Sequence, residues 1–288
     1  MNQKLMAFAY FREGNNLKCD RLHARSGRWL FLLLACFQAY LIAQENICRV
    51  LPYSRLQAAA SVSAAGHLLM NEPPGWVRLQ PTQPVNADTV WLLVHGYGSR
   101  GYEWIDAIQA LGNTGHPVYF YRYDWSRCPK AVVDSLRADF QRLQATVPGS
   151  SHHWIWFGHS YGAWIVARLN ARFPADAPME FHAIAGPLAG MKAFQDRCPP
   201  DTTWLALSRR SGVGPRLIQW RTLQAQDGAY RDLSRDPQVV SIPGSRVIRL
   251  PAEMDGHRLG HNWSVKWVVE TFLGLRGNPR GKSGQSEK

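Results

Sequence analysis

The sequence predicts an α/β fold, with a mostly parallel sheet carrying helices on both faces. Three observations point there. Between residues 88 and 275, short apolar runs alternate with stretches of helical periodicity, the pattern of repeated strand–helix–strand units. The runs are near-continuously apolar rather than alternating, as strands buried on both faces are. Two of them end in glycine-flanked turns, His95-Gly96-Tyr97-Gly98 and Gly158-His159-Ser160-Tyr161-Gly162.

Taken in order, Val90–Val94 reads as the first core strand. Trp104, Ile108 and Leu111 then fall on one helical face, which Gly112 can close. Val118–Tyr123 is rich in strand formers. Val133, Leu136, Phe140, Leu143 and Val147 step by three and four, an amphipathic helix stopped by Pro148-Gly149. His153–Phe157 reads as a buried strand, and Gly162, Val166, Leu169 and Phe173 as the next helical stripe. Phe181–Ala185, Ile218–Leu223 and Arg246–Leu250 are further strands, and Ser264–Leu273 is a closing helix.

The flanks differ in character. Residues 1–28 form a basic N-terminal segment with six Lys/Arg against Glu13 and Asp20. No charge then appears between Arg28 and Glu45, sixteen residues. That length suits a signal anchor or transmembrane segment over 29–44, with a cleaved signal as the alternative. The basic flank stays in the cytoplasm, which puts the catalytic region on the extracytoplasmic side, in the periplasm of a bacterium. Residues 45–87, Ala/Ser-rich and then punctuated by prolines, are expected to be a linker or cap. Residues 276–288 are expected to be a disordered tail.

Composition excludes several classes. The net charge is +12 and the pI near 9.8, yet the basic residues are scattered and no basic helix or aromatic RNA-binding motif occurs, so no nucleic acid is expected. The five cysteines form no CxxC pair, which argues against a zinc or redox site. The twelve tryptophans read either as core filling or as the lining of an acyl pocket or a membrane-facing rim.

The chemistry centres on Ser160. In G-x-S-x-G a sharp strand-to-helix turn lifts the serine Oγ over the sheet edge, and only glycines two residues to either side, here Gly158 and Gly162, avoid a clash. A tetrahedral intermediate also needs amide donors placed in advance. The residue after the nucleophile, Tyr161, supplies one, and Tyr97 in the loop after the first strand supplies the other. His95 reads as a structural hydrogen bonder.

Leu92-Leu93-Val94-His95-Gly96-Tyr97-Gly98 followed by Phe157-Gly158-His159-Ser160-Tyr161-Gly162 resembles the α/β-hydrolase superfamily in its compact lipase/esterase-like branch. Ala185-Gly186-Pro187-Leu188-Ala189-Gly190 is similar to a turn such lipases carry after the next strand. The resemblance covers about 88–275. It implies a Ser–acid–His triad in that chain order, with no cofactor and no metal. Ile218 to Asp227-Gly228 resembles the strand that ends in Asp-Gly in these enzymes, which makes Asp227 the acid, with Asp232, Asp236 and Asp255 as alternatives. Two histidines follow the last strand in Asp255-Gly256-His257-Arg258-Leu259-Gly260-His261-Asn262. Distance from the strand favours His257, and the Gly-His-Asn just before the closing helix favours His261. The spacing tips the expectation to His257.

The implied function is ester hydrolysis through an acyl-enzyme, on a small-molecule or lipid-like acyl ester. Acyl transfer or thioester cleavage on the same fold is one alternative. A membrane-tethered binding protein that has lost catalysis is the other. Cys128 and Cys198 follow two neighbouring strands at the same sheet edge and can pair if the domain lies in an oxidising compartment.

Overall fold

The computed structural model describes residues 48–80, 88–147, 152–199 and 216–276. The stretches expected to hold the basic segment, the membrane segment and the tail beyond Arg276 lie outside the described residues.

Eight strands form one sheet: β1 Cys48–Pro52, β2 Gly75–Gln80, β3 Thr89–Val94, β4 Val118–Arg122, β5 His153–His159, β6 Met179–Ile184, β7 Arg216–Arg221 and β8 Arg246–Arg249. Their order is β1-β2-β4-β3-β5-β6-β7-β8. All neighbours run parallel except β2 against β4. A two-residue hairpin, β9 Glu253–Met254 and β10 His257–Arg258, follows β8. The helices are α1 Tyr53–Gln57, α2 Val62–Met70, α3 Tyr102–Gly112, α4 Pro129–Gln144, α5 Tyr161–Asn170, the short α6 Lys192–Gln195 and α7 Trp263–Phe272.

Period-two alternation builds two cores, one on each face. Val90, Leu92 and Val94 of β3 and Trp154 and Trp156 of β5 turn to one face, where Val133, Leu136, Phe140 and Leu143 of α4 cover them. Trp91 and Leu93 of β3 and Ile155 and Phe157 of β5 turn to the other, under α1, α2, α3 and α7. Of the ten tryptophans among the described residues, eight are buried, so core filling is their main use. Each fully buried large apolar side chain contributes about 1.5–3 kcal/mol relative to exposure.

The stretch expected to be a linker or cap differs from that reading. It supplies β1, β2, α1 and α2, and β2 pairs with β4 inside the sheet. Its apolar pattern is weak because β1 lies at the sheet edge with Arg49 and Val50 exposed, so only some of its positions need to be apolar. Tyr53 of α1 nonetheless reaches α3, where its hydroxyl donates to Ile108 O at 2.8 Å.

Candidate active site

The expected functional residues follow the C-terminal ends of four parallel strands: Tyr97 after β3, Ser160 after β5, Asp227 after β7 and His261 after β8. In open α/β sheets this is the edge where ligands bind.

Ser160 sits at the turn between β5 and α5 with φ 55° and ψ −119°, a conformation non-glycine residues seldom adopt. The surroundings impose it. A Cβ on Gly158 would strike the Gly162 carbonyl and Val166, and one on Gly162 would strike the carbonyls of Val94 and His95. The incoming strand, the outgoing helix and the β3 loop therefore pack backbone to backbone. Gly96 does the same for the loop, since a Cβ there would lie 2.9 Å from the Ser160 Cβ. The amide of Tyr161 is the first of α5, one of the helix donors with no partner inside the helix. Ser160 N donates to Ile184 O at 2.9 Å, which ties the elbow to β6.

Asp227 is fully buried. It follows a 3-10 turn over Gln224–Gln226 rather than ending β7 directly. Its carboxylate accepts from Thr222 Oγ1 at 2.5 Å and from Ala229 N at 2.9 Å, and His261 Nδ1 lies 2.9 Å from it. Gln238 braces this anchor, accepting from Thr222 N at 2.9 Å and donating to Thr222 O at 3.3 Å.

His261 is clamped from its backbone as well. His159 Nε2 donates to His261 O at 3.1 Å and Ser264 Oγ to the same oxygen at 2.5 Å. Burial drives the His159 pKa well below the usual histidine value, so His159 is a neutral imidazole with its proton on Nε2. Tyr230 meets the His261 ring edge-on, 5.0 Å between centroids. Its buried hydroxyl donates to Ala185 O at 2.7 Å.

The other histidine candidate stands elsewhere. His257 is exposed on β10 and its ring stacks on Trp263 at 5.2 Å. The structure does not bring it to Asp227. Asp255-Gly256, both at positive φ, makes the two-residue hairpin turn that Asp-Gly favours, and this places His257 on the returning strand. Asp255 is itself exposed and pairs with Arg276 at 2.7 Å. Asp232 is exposed, and Asp236 accepts from Gln238 N at 3.0 Å.

Ser160 and His261 border one cavity of about 200 Å³, with Gly96 and Tyr97 on the loop side. His95 lies below it, fully buried, with Nδ1 donating to Gly96 O at 2.9 Å and its ring stacked on Tyr123 at 4.2 Å. Burial lowers its pKa to about 3, so it stays neutral and braces the loop, in line with a structural part. Cys128, before α4, and Cys198, after α6, form a disulfide with Cα atoms 5.5 Å apart. It joins the two segments that frame Phe194, whose ring stacks on Tyr161 at 4.5 Å. Among the described residues no cluster of His, Cys, Asp or Glu could hold a metal ion.

The sequence profile of the alpha/beta hydrolase family matches residues 91–269, more than half of the chain. The chain belongs to the alpha/beta hydrolase family. Solved structures similar to this hydrolase include Est1E from Butyrivibrio proteoclasticus, at 12% identity, covering 69% of this chain and 91% of that one with TM-score 0.49. The esterase domain of a Rhodothermus marinus protein is similar at 15% identity, 69% and 90% coverage and TM-score 0.44. A dienelactone hydrolase from Anabaena variabilis is similar at 12%, 66% and 86%, and TM-score 0.46. No protein of curated function matches the sequence closely.

Sequence reasoning named neither Thr222, Gln238 and Tyr230 nor the bracing part of His159. Thr222 and Gln238 carried no signal, because their partners lie five to sixteen residues away in irregular chain. His159 did carry one, a polar residue inside the elbow where a strand is otherwise apolar.

Proposed function

We propose that this hydrolase cleaves carboxylic esters through an acyl-enzyme, with Ser160 as nucleophile, His261 as general base and then acid, and Asp227 as the group that orients it. The observation that carries the reading is the buried Asp227 carboxylate 2.9 Å from His261 Nδ1, on a histidine that shares a cavity with the strained Ser160. A carboxylate on Nδ1 fixes the proton there, leaves Nε2 free to take the Ser160 proton, and stabilises the imidazolium that results. The Tyr97 and Tyr161 amides are the proposed donors to the oxyanion. His261 then returns the proton to the leaving alcohol, activates water, and the acyl-enzyme is hydrolysed. His261 replaces the spacing-based preference for His257.

A fluorophosphonate probe should label the wild-type protein, and a soluble short-chain ester should be turned over. Ser160→Ala should lose both. Labelling and full turnover by the Ser160→Ala protein would overturn the assignment.

We further propose that the catalytic region works outside the cytoplasm. The Cys128–Cys198 pairing supports an oxidising compartment, and the basic segment followed by the uncharged stretch supports export. A reporter enzyme fused after Lys288 should be active only in the extracytoplasmic compartment. Activity confined to the cytosol would refute it.

A further inference from the structure

The two amides proposed to hold the oxyanion belong to Tyr97 and Tyr161, and the side chains of both residues meet one further ring. Phe194 of α6 is buried, 3% exposed. Its ring lies nearly parallel to that of Tyr161, with 3° between the planes and 4.5 Å between centroids. Tyr97 meets it edge-on at 5.6 Å. Among the described residues, Phe194 is the one aromatic ring that pairs with both tyrosines.

The two tyrosines depend on that ring to different degrees. Tyr161 begins α5, and its hydroxyl donates to Arg127 O at 2.7 Å, so helix and hydroxyl already hold it. Tyr97 stands between Gly96 and Gly98, the latter at φ 60°. Glycine neighbours leave its backbone without adjacent side chains to restrict it. Tyr97 is 51% exposed, and its ring rests on Trp125 at 4.4 Å and on Phe194. The ring is thus a handle through which the rest of the protein sets the direction of the Tyr97 amide. Phe194 is itself anchored. Cys198 N donates to Phe194 O at 2.8 Å, and the Cys128–Cys198 disulfide ties this turn to the residue after Arg127. The bridge closes a frame in which Arg127 receives the Tyr161 hydroxyl and Phe194 receives its ring. Phe194 offers no acid, base or hydrogen-bond donor, so what it can contribute to the reaction is placement.

We propose that Phe194 is a positioning residue for the oxyanion hole, held by the Cys128–Cys198 disulfide, and that its ring fixes the Tyr97 amide relative to the Tyr161 amide. The inference rests on the Ser160 hydrolase reading and adds what sets the spacing of the two donors. An oxyanion donor acts within about 2.7–3.1 Å of the developing charge, and a displacement of about 1 Å costs about 100-fold in rate.

The test reads kcat and KM on one soluble short-chain ester, with rates counted per site from the end-point of fluorophosphonate labelling, and the Ki of a short alkyl trifluoromethyl ketone. The Ser160 oxygen adds to the carbonyl carbon of that ketone and leaves a negative oxygen in the oxyanion hole, so its affinity reports the hole itself. Phe194→Leu should lower kcat by about 10- to 100-fold, leave KM within about threefold, and raise the Ki by a factor similar to the loss in kcat. Phe194→Tyr, which keeps an aromatic ring, should recover most of that loss. A variant with both Cys128→Ala and Cys198→Ala leaves every ring in the protein and should shift kcat and Ki in the same directions by about threefold or more. It carries the test if the Leu variant does not fold. Wild-type kcat and Ki in Phe194→Leu, or a loss confined to KM, overturn the proposal. So do wild-type kcat and Ki in the double cysteine variant. A wild type that turns over ester and takes the label, with variants that match it, sinks this inference alone. No turnover of any ester and no labelling of the wild type sink the hydrolase reading and this inference with it.

Discussion

His257 and His261 stand four residues apart in one loop and meet opposite surroundings. His257 lies exposed on a hairpin strand, its ring against Trp263. His261 lies against a buried carboxylate, with its carbonyl held by two donors and its ring met edge-on by Tyr230. The two Asp-Gly pairs repeat the contrast. Asp255-Gly256 turns a hairpin in solvent, while Asp227-Gly228 ends a turn whose aspartate is fully buried and accepts three hydrogen bonds. Residue type and spacing are shared; what differs is whether neighbouring elements close over the side chain.

The sharpest way to break this comparison is substitution of each histidine in turn. His261→Ala should lower ester turnover by about 10⁴- to 10⁶-fold, similar to Ser160→Ala and not additive with it, since the two act as one unit. Steady-state rates for both single variants and the double variant check this. An additive double variant would separate the two residues. Next in size, Asp227→Asn should cost about 10³- to 10⁴-fold with the fold intact, because the amide favours the wrong imidazole tautomer. A loss below tenfold would detach Asp227 from the chemistry.

A smaller effect concerns the anchor. Thr222→Val removes the hydroxyl donor to Asp227 and should reduce turnover by about 10-fold or less, with about 1–3 kcal/mol of stability lost to the unsatisfied carboxylate oxygen. Urea unfolding and kinetics on the same preparation measure both. The buried histidines extend the contrast to stability. Burial holds His95 near pKa 3 and lowers His159 and His182, whereas the unfolded chain protonates them below about pH 6.5. The unfolded state therefore binds more protons than the native one between those values, and stability is lost as pH falls through that window. The slope is up to about 1.4 kcal/mol per pH unit for each histidine. Urea midpoints at pH 7 and pH 5 that coincide would refute it. The smallest effect is expected of His257→Ala, a change in turnover within about threefold. A large loss there, with His261→Ala mild, would reverse the comparison.

Strands β3 to β8 and helices α3, α4, α5 and α7 were legible because their burial leaves a periodic trace. Val133, Leu136, Phe140 and Leu143 announce one helix face, and the β5 run into Gly158-His159-Ser160-Tyr161-Gly162 announces the elbow, since a backbone that close tolerates only glycine at two fixed positions. The first two strands were not legible, because an edge strand with exposed positions has little pattern to show. The Asp255-Gly256 hairpin could have been read from its dipeptide, and would have moved the expectation from His257 to His261.

By itself, then, the sequence determined the layered α/β architecture and the glycine-flanked turn that carries Ser160, the proposed nucleophile, both local consequences of periodicity and of steric exclusion at glycine. Only the tertiary structure decided which histidine meets Asp227 and that Thr222 and His159 hold the pair in place. Those relations join β5, β7 and β8 through loops, where position follows from how separate elements pack and leaves no period in the chain to read.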